Sequence, residues 1–106
     1  MNIDYKWVNQ KIIDKESLSK FCDSQRAVEL CWWFATEVVH QGAITEEIDS
    51  LIQESAVKRV LRTDVMRVHI HNMTQIVLEN PFTGSEFEYE ITEFKEVYFK
   101  WLEELN

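Results

Sequence analysis

The pattern best suited to metal binding in this chain is a pair of histidines two residues apart. His69 and His71 would lie on the same face of a strand, where two imidazoles can supply half of a metal site. No third ligand follows at a diagnostic spacing, and the positive charge of the nearby Arg67 opposes a cation. We interpret both histidines as polar residues on a solvent-facing strand surface, and we predict neither a metal nor a cofactor.

The other residues that could support catalysis are two cysteines and the carboxylates. Cys22 and Cys31 fall in or beside helical sequence, without the neighbours of a catalytic nucleophile. The chain has 2 glycines, too few for a phosphate-binding loop or a dinucleotide-binding motif. A catalytic acid needs a desolvated site that raises its pKa. We predict that the protein is not an enzyme, since that would require His40, His69 or His71 to meet carboxylates in a pocket.

The most informative pattern is the alternating run Glu-Phe-Glu-Tyr-Glu-Ile at positions 86–91, which has the period of a half-buried strand. The apolar side chains would face the core, and the acidic ones would form a row on the other face: Glu86, Glu88 and Glu90. Neighbours on one face of a strand are about 7 Å apart, so these charges repel one another. Stability does not account for the row, whereas a basic binding partner would.

The overall charge restricts the class of partner. With 19 acidic and 11 basic residues, the chain has a net charge of −8. Nucleic acid requires clustered lysine and arginine, so we predict no direct contact with it, and anionic lipid is disfavoured for the same reason. The charges are also segregated, since a basic segment at 58–67 separates two acidic ones. A basic protein partner fits this distribution, as does simple solubility.

No segment of the sequence predicts export or membrane insertion. The first residues are polar and mixed in charge, and no apolar run approaches the ~20 residues of a membrane span. We therefore expect a cytoplasmic protein without a membrane contact. Its two cysteines are expected to remain free thiols in a reducing compartment.

The length and composition predict one compact domain over residues 1–106, because the chain is 45% apolar and long enough for one hydrophobic core. Residues 1–13 are compatible with an edge strand or with an irregular lead-in. Asp14 is expected to cap a short helix. Ser24 is expected to cap a central helix over about 25–41 that is buried on more than one side.

The remaining helix boundaries follow from threonine, glycine and charge signals. Gly42 is expected to end the central helix and Thr45 to begin a third helix, which continues to about Arg62. Thr92 is expected to cap an amphipathic helix over about 93–105, packed on the sheet or on the central helix.

Three strands are expected between the third helix and the last one. They form an antiparallel meander with a hairpin turn at 80–85, and their approximate ranges are 65–71, 74–79 and 86–91. The predicted fold is therefore α+β, with N-terminal helices, a three-stranded meander and a C-terminal helix.

The chain has more aromatic side chains than so small a core readily buries. We expect Trp32 and Trp33 to be buried beside the central helix, Phe82 to be exposed at the hairpin tip and Phe99 to be exposed on the last helix. Aromatic side chains beside acidic groups are typical of binding anchors. The candidate partner-binding residues are Glu79, Phe82, Glu86, Glu88, Glu90 and Phe99.

The favoured hypothesis is a protein-binding inhibitor whose acidic surface occludes a basic partner. Its leading form is a bacterial immunity protein that neutralises a nuclease-type toxin. A phage-encoded inhibitor of a nucleic-acid-binding machine would use the same surface. The alternative from another class is a structural or adaptor subunit, which would use exposed aromatic residues to form a homodimer or a hetero-complex.

Overall fold

In a computed structural model, the chain packs its helices against one face of an antiparallel sheet, so the α+β class is confirmed. The structure describes residues 1–12, 14–53, 59–70 and 74–105. The α-helices are α1 Lys15–Leu18, α2 Gln25–Thr36, α3 Gly42–Gln53 and α4 Ile91–Leu105, with 3₁₀ helices at Tyr5–Asn9 and Val38–His40. The strands are β1 Arg59–Arg62, β2 Arg67–Ile70, β3 Gln75–Asn80 and β4 Ser85–Glu90.

The sheet is a meander of four described strands in the order β1-β2-β3-β4, one more than the sequence predicted. The additional strand, β1, lies where we expected the third helix to continue to Arg62, whereas α3 ends at Gln53. The Thr63 N–H donates to the Met66 carbonyl at 2.9 Å, which turns β1 back onto β2. Pairing with β2 satisfies the backbone groups of β1 that face β2. The strand conformation also points Val60 and Leu61 to opposite faces of the sheet, and Leu61 packs on the core. Positions 54–58 lie outside the described residues.

Two helix caps were predicted correctly. The Ser17 N–H donates to the Asp14 carboxylate at 2.7 Å, and the Ala27 N–H donates to the Ser24 hydroxyl at 3.3 Å. Both side chains satisfy an N–H group that has no partner within the first turn of its helix. These caps depend on residues adjacent in sequence, which explains why they could be recognised.

Three other helix boundaries were predicted wrongly. α2 ends at Thr36, and Gly42 begins α3 instead of ending α2. Of the two glycines, both of which the structure describes, Gly84 has a positive φ and Gly42 does not. Gly42 therefore lacks the left-handed conformation of a glycine that ends a helix. Thr45 lies inside α3, and Thr92 is the second residue of α4, so neither caps a helix.

The N-terminal residues form an irregular lead-in, so the alternative of an edge strand was wrong. An isolated bridge joins Ile3 to Cys22, and the 3₁₀ helix that follows buries Trp7. Trp33 is fully buried as expected, whereas Trp32 is half-buried, with the Lys15 ammonium 4.6 Å from its ring centre.

The core is built around α2, as the apolar pattern of that helix predicts. Phe34 on α2 stacks on Trp101 of α4 with ring centres 4.9 Å apart, and it also contacts Phe94 and Tyr98. C-terminal helix α4 therefore packs on the central helix. The sheet contributes apolar side chains from one face, namely Val68, Ile70, Ile76, Leu78 and Tyr89.

A buried carboxylate joins the end of α2 to the turn between β1 and β2. Glu37 is 4% exposed, and it accepts hydrogen bonds from Trp33 Nε1 at 2.9 Å and from the Thr63 hydroxyl at 2.7 Å. The Asp64 backbone N–H is a third donor. Three donors compensate for the loss of water around the carboxylate, so this end of α2 is fixed to β1 and β2.

The core position of Phe34 leads to a stability prediction. Phe34→Ala is expected to lower the free energy of unfolding by about 3–5 kcal/mol, because a large aromatic side chain is lost from a packed core. Phe82→Ala is the matched control, since Phe82 is 78% exposed and its loss should change stability by less than about 0.5 kcal/mol. Urea unfolding followed by circular dichroism measures both. Equal curves for Phe34→Ala and the parent would contradict this description of the core.

Candidate functional site

The acidic side chains of β4 form a row on the face of the sheet opposite the helices, which we call the outer face. Along β4, Glu86, Glu88 and Glu90 are exposed, whereas Phe87 is half-buried and Tyr89 is buried. This is the alternation that the sequence predicted. We call these three glutamates the acidic row.

The strand register extends the charge pattern across the sheet. Arg62 pairs with Arg67, Arg67 with Glu79 and Glu79 with Glu86. We call these four residues the charge row. Its β1 and β2 members are cationic and its β3 and β4 members are anionic, so the charge changes sign across the outer face. The next row across the sheet contains Val60, His69, Val77 and Glu88.

Glu79, a candidate partner-binding residue, is engaged within the protein. Its Oε1 lies 3.1 Å from His69 Nε2 and 3.8 Å from an Arg67 guanidinium nitrogen. Glu79 is also half-buried. It therefore contributes less free negative charge to the outer face than Glu86 does.

Phe82 is held at the tip of the β3–β4 turn and projects into solvent. Its backbone N–H donates to the Asn80 side chain at 3.0 Å, and the Gly84 N–H donates to the Asn80 carbonyl at 2.8 Å. Gly84 has a φ of 74°, a conformation that strongly favours glycine. The turn is thus specified by its own residues, and it places Phe82 beside the Glu86 end of the acidic row.

Phe99 is exposed as predicted, at 52%, but it belongs to a different surface. It lies on α4 and lines a depression of about 500 Å³ together with Tyr5 and the first residues of the chain. The structure thus places Phe82 in the turn that leads into the strand of the acidic row, whereas Phe99 lines a separate surface.

A residue that the sequence did not single out, Arg26, anchors the acidic strand. Its Nε and Nη2 donate to the Glu88 carbonyl at 2.9 and 2.7 Å, and Nη2 also donates to Glu93 at 2.9 Å. The Tyr89 hydroxyl returns a bond of 2.6 Å to the Arg26 carbonyl. These contacts join the first turn of α2 to the middle of β4. Arg26, Tyr89 and Glu93, together with the acidic row itself, line a shallow groove of about 390 Å³.

Glu93 fixes the junction between β4 and α4. Its Oε1 accepts from the Glu90 N–H at 3.0 Å, as the third helical residue does in a capping box. That backbone hydrogen bond, followed by the hydrogen bond and charge of Arg26, lowers the pKa of the Glu93 carboxyl below its ordinary value. A glutamate three residues after Glu90 was the sequence signal for this cap.

The residues considered for metal binding and nucleophilic chemistry are two histidines and two cysteines. In the described residues, no group of three or more His, Cys, Asp and Glu side chains is arranged to hold a metal ion, and His71 lies outside them. Cys31 is buried, and its hydrogen bond with Cys22, together with burial, raises the pKa of its thiol, which disfavours the nucleophilic thiolate. The same hydrogen bond lowers the pKa of the half-buried Cys22 thiol.

Comparison with known proteins gives no family assignment: no protein-family model, curated protein or solved structure matches this chain. Within the described ranges, each helix is too short or too polar to span a bilayer. Any functional conclusion must therefore come from the side chains and their geometry.

The lowered pKa of Glu93 predicts a pH-dependent stability difference. The ionised carboxylate stabilises the fold above its ordinary pKa of 4.5, and that contribution is lost as the pH falls through the lower folded value. Glu93→Gln should therefore be less stable than the parent at pH 7, by about 0.5–1 kcal/mol for a partly solvated group.

The difference between parent and Glu93→Gln should shrink towards zero in acid, since the protonated glutamate resembles glutamine. Urea unfolding at pH values from 7 down to 3 measures it. Glu47→Gln is the control, because Glu47 is an exposed residue of α3. A Glu93→Gln difference that stays constant with pH would contradict the assigned role.

Proposed function

We propose that this protein is a protein-binding inhibitor, in its specific form a bacterial immunity protein that neutralises a basic, nuclease-type toxin in the cytoplasm. The observation that carries the proposal is the acidic row, three exposed glutamates on a strand whose backbone is hydrogen-bonded to β3 along one edge and to Arg26 at Glu88. Like charges about 7 Å apart repel one another, and contact with a basic surface would relieve that repulsion.

The proposed mechanism is occlusion of the surface that binds the toxin's substrate. A nuclease binds substrate phosphates with lysine and arginine, and carboxylates can occupy the same positions. An ordered strand presents its carboxylates at fixed spacing, so little conformational entropy is lost on binding. The net charge of −8 would also accelerate the approach of a basic partner.

The other candidate residues take different roles in this proposal. Phe82 is the apolar anchor, because it is exposed and lies at the end of the acidic row. Glu79 is a weaker contributor, since it already pairs with Arg67 and contacts the His69 ring. Phe99 would take part only if the partner extends beyond the outer face to the surface of α4.

Two alternatives use features of the same structure. A phage-encoded inhibitor of a nucleic-acid-binding machine would employ the acidic row in the same way. A structural or adaptor subunit would instead use exposed apolar side chains such as Phe99, Val39 and Leu105. Salt separates the two classes, because screening weakens charge contacts but not apolar ones.

A pull-down from lysate of the source cells, with elution in salt steps, tests the proposal. We expect a basic protein that elutes at moderate salt and whose nuclease activity is inhibited by this chain. The triple variant Glu86→Gln, Glu88→Gln, Glu90→Gln should fold as well as the parent but bind at least about tenfold more weakly. Its binding should also lose most of its dependence on salt.

The matched control removes three exposed charges away from the outer face, by Glu16→Gln, Glu46→Gln and Glu47→Gln. It should bind within about threefold of the parent, because only the long-range field changes. Parent-like affinity of the acidic-row variant at every salt concentration would disprove the proposed binding surface. Recovery of a partner that resists salt elution would favour the adaptor alternative.

A further inference from the structure

The charge row is complementary to its own reverse. Across the sheet it reads Arg62, Arg67, Glu79, Glu86, that is, two cations followed by two anions. In the reverse order the row reads two anions followed by two cations. When the row is placed against its own reverse, each cation therefore lies opposite an anion. A surface with this property can contact a second copy of itself without placing like charges together.

We infer that the outer face binds the same face of a second copy of this chain, about a twofold axis parallel to the strands. Rotation about that axis lays β1 of one copy over β4 of the other and β2 over β3. Arg62 then lies against Glu86 of the second copy, and the Arg67–Glu79 ion pair of one copy lies against the reversed pair of the other. A twofold axis perpendicular to the strands would instead place β1 on β1 and like charges together, so the charge row selects one geometry.

The row next to the charge row adds little apolar contact. Val60 is 50% exposed on the edge strand β1, whereas Val77 on β3 is buried. The same rotation lays Val60 over Glu88 of the second copy and Val77 over His69. Two sheets packed face to face normally rely on apolar side chains, at a separation of about 10 Å, so here the charge row has to carry the contact.

The size of the face indicates a weak and reversible dimer. Strands about 4.8 Å apart and four to six residues long cover on the order of 300 Å² per copy, below the roughly 800 Å² per partner of a standard interface. The net charge of −8 on each copy further opposes association. Dimers should therefore form only at high protein concentration, where they would cover the acidic row.

A charge-exchange experiment with the full chain tests the inference independently of any partner. Arg62→Glu and Glu86→Lys each place like charges together in both symmetric contacts, so each variant alone should lose at least about tenfold in dimerisation constant. Mixed in equal amounts, one of each restores two opposite-charge contacts. The mixture should dimerise within about threefold of the parent.

Both substitutions are expected to fold, because each removes a like-charge neighbour within the sheet, Arg67 beside position 62 and Glu79 beside position 86. Lys20→Glu and Glu47→Lys change the net charge by the same amounts at exposed positions outside the sheet, and should dimerise as the parent does. Circular dichroism verifies folding, and sedimentation velocity up to about millimolar concentration measures association.

Three results would overturn the inference. They are a parent that remains monomeric over the whole concentration range at both low and moderate salt, single variants that dimerise as the parent does, and a mixture that stays monomeric. None of them bears on the proposed inhibition, which depends on a different molecule. Conversely, failure to capture a basic partner would leave the dimer unaffected.

Discussion

The outer face depends on the buried helix α2, which is hydrogen-bonded to the sheet near both of its edges. Near its first turn, Arg26 of α2 holds the backbone of β4 at Glu88, and just beyond its last turn Glu37 holds the turn between β1 and β2. A helix of 12 residues is about 18 Å long, similar to the ~14 Å that separates the first and fourth strands. The strand spacing sets the distance between the cationic and anionic sides of the sheet, and α2 is bonded to the sheet at both of them.

Those parts of the fold that depend on neighbouring residues could be predicted from the sequence. The two faces of β4 are encoded in its strict alternation, and the caps at Asp14 and Ser24 need only the next few residues. β1 could not be predicted in the same way. Its apolar residues continue the helical spacing of α3, and its strand conformation depends on backbone pairing with β2.

For the candidate site, the sequence predicted which side chains are exposed but not which side chains contact one another. The turn residues around Phe82 predicted that its side chain is exposed, and the alternating pattern of β4 predicted the same for the three glutamates. The pairing of Glu79 with Arg67 and His69 follows from strand register, which single-residue patterns do not specify. Arg26 is 62 positions from Glu88 in the sequence, and no local signal connects a helix arginine to a distant carbonyl.

The contact between Arg26 and the Glu88 carbonyl also occupies an acceptor at which another strand could pair with the sheet. β4 is an outermost strand of the sheet, and the unpaired backbone of such a strand can template the addition of another chain. A guanidinium already occupies a carbonyl on that side, and the flanking glutamates repel an identical strand that approaches edge to edge. The residues that make this strand a candidate for recognition therefore also oppose the addition of a further strand at this edge of the sheet.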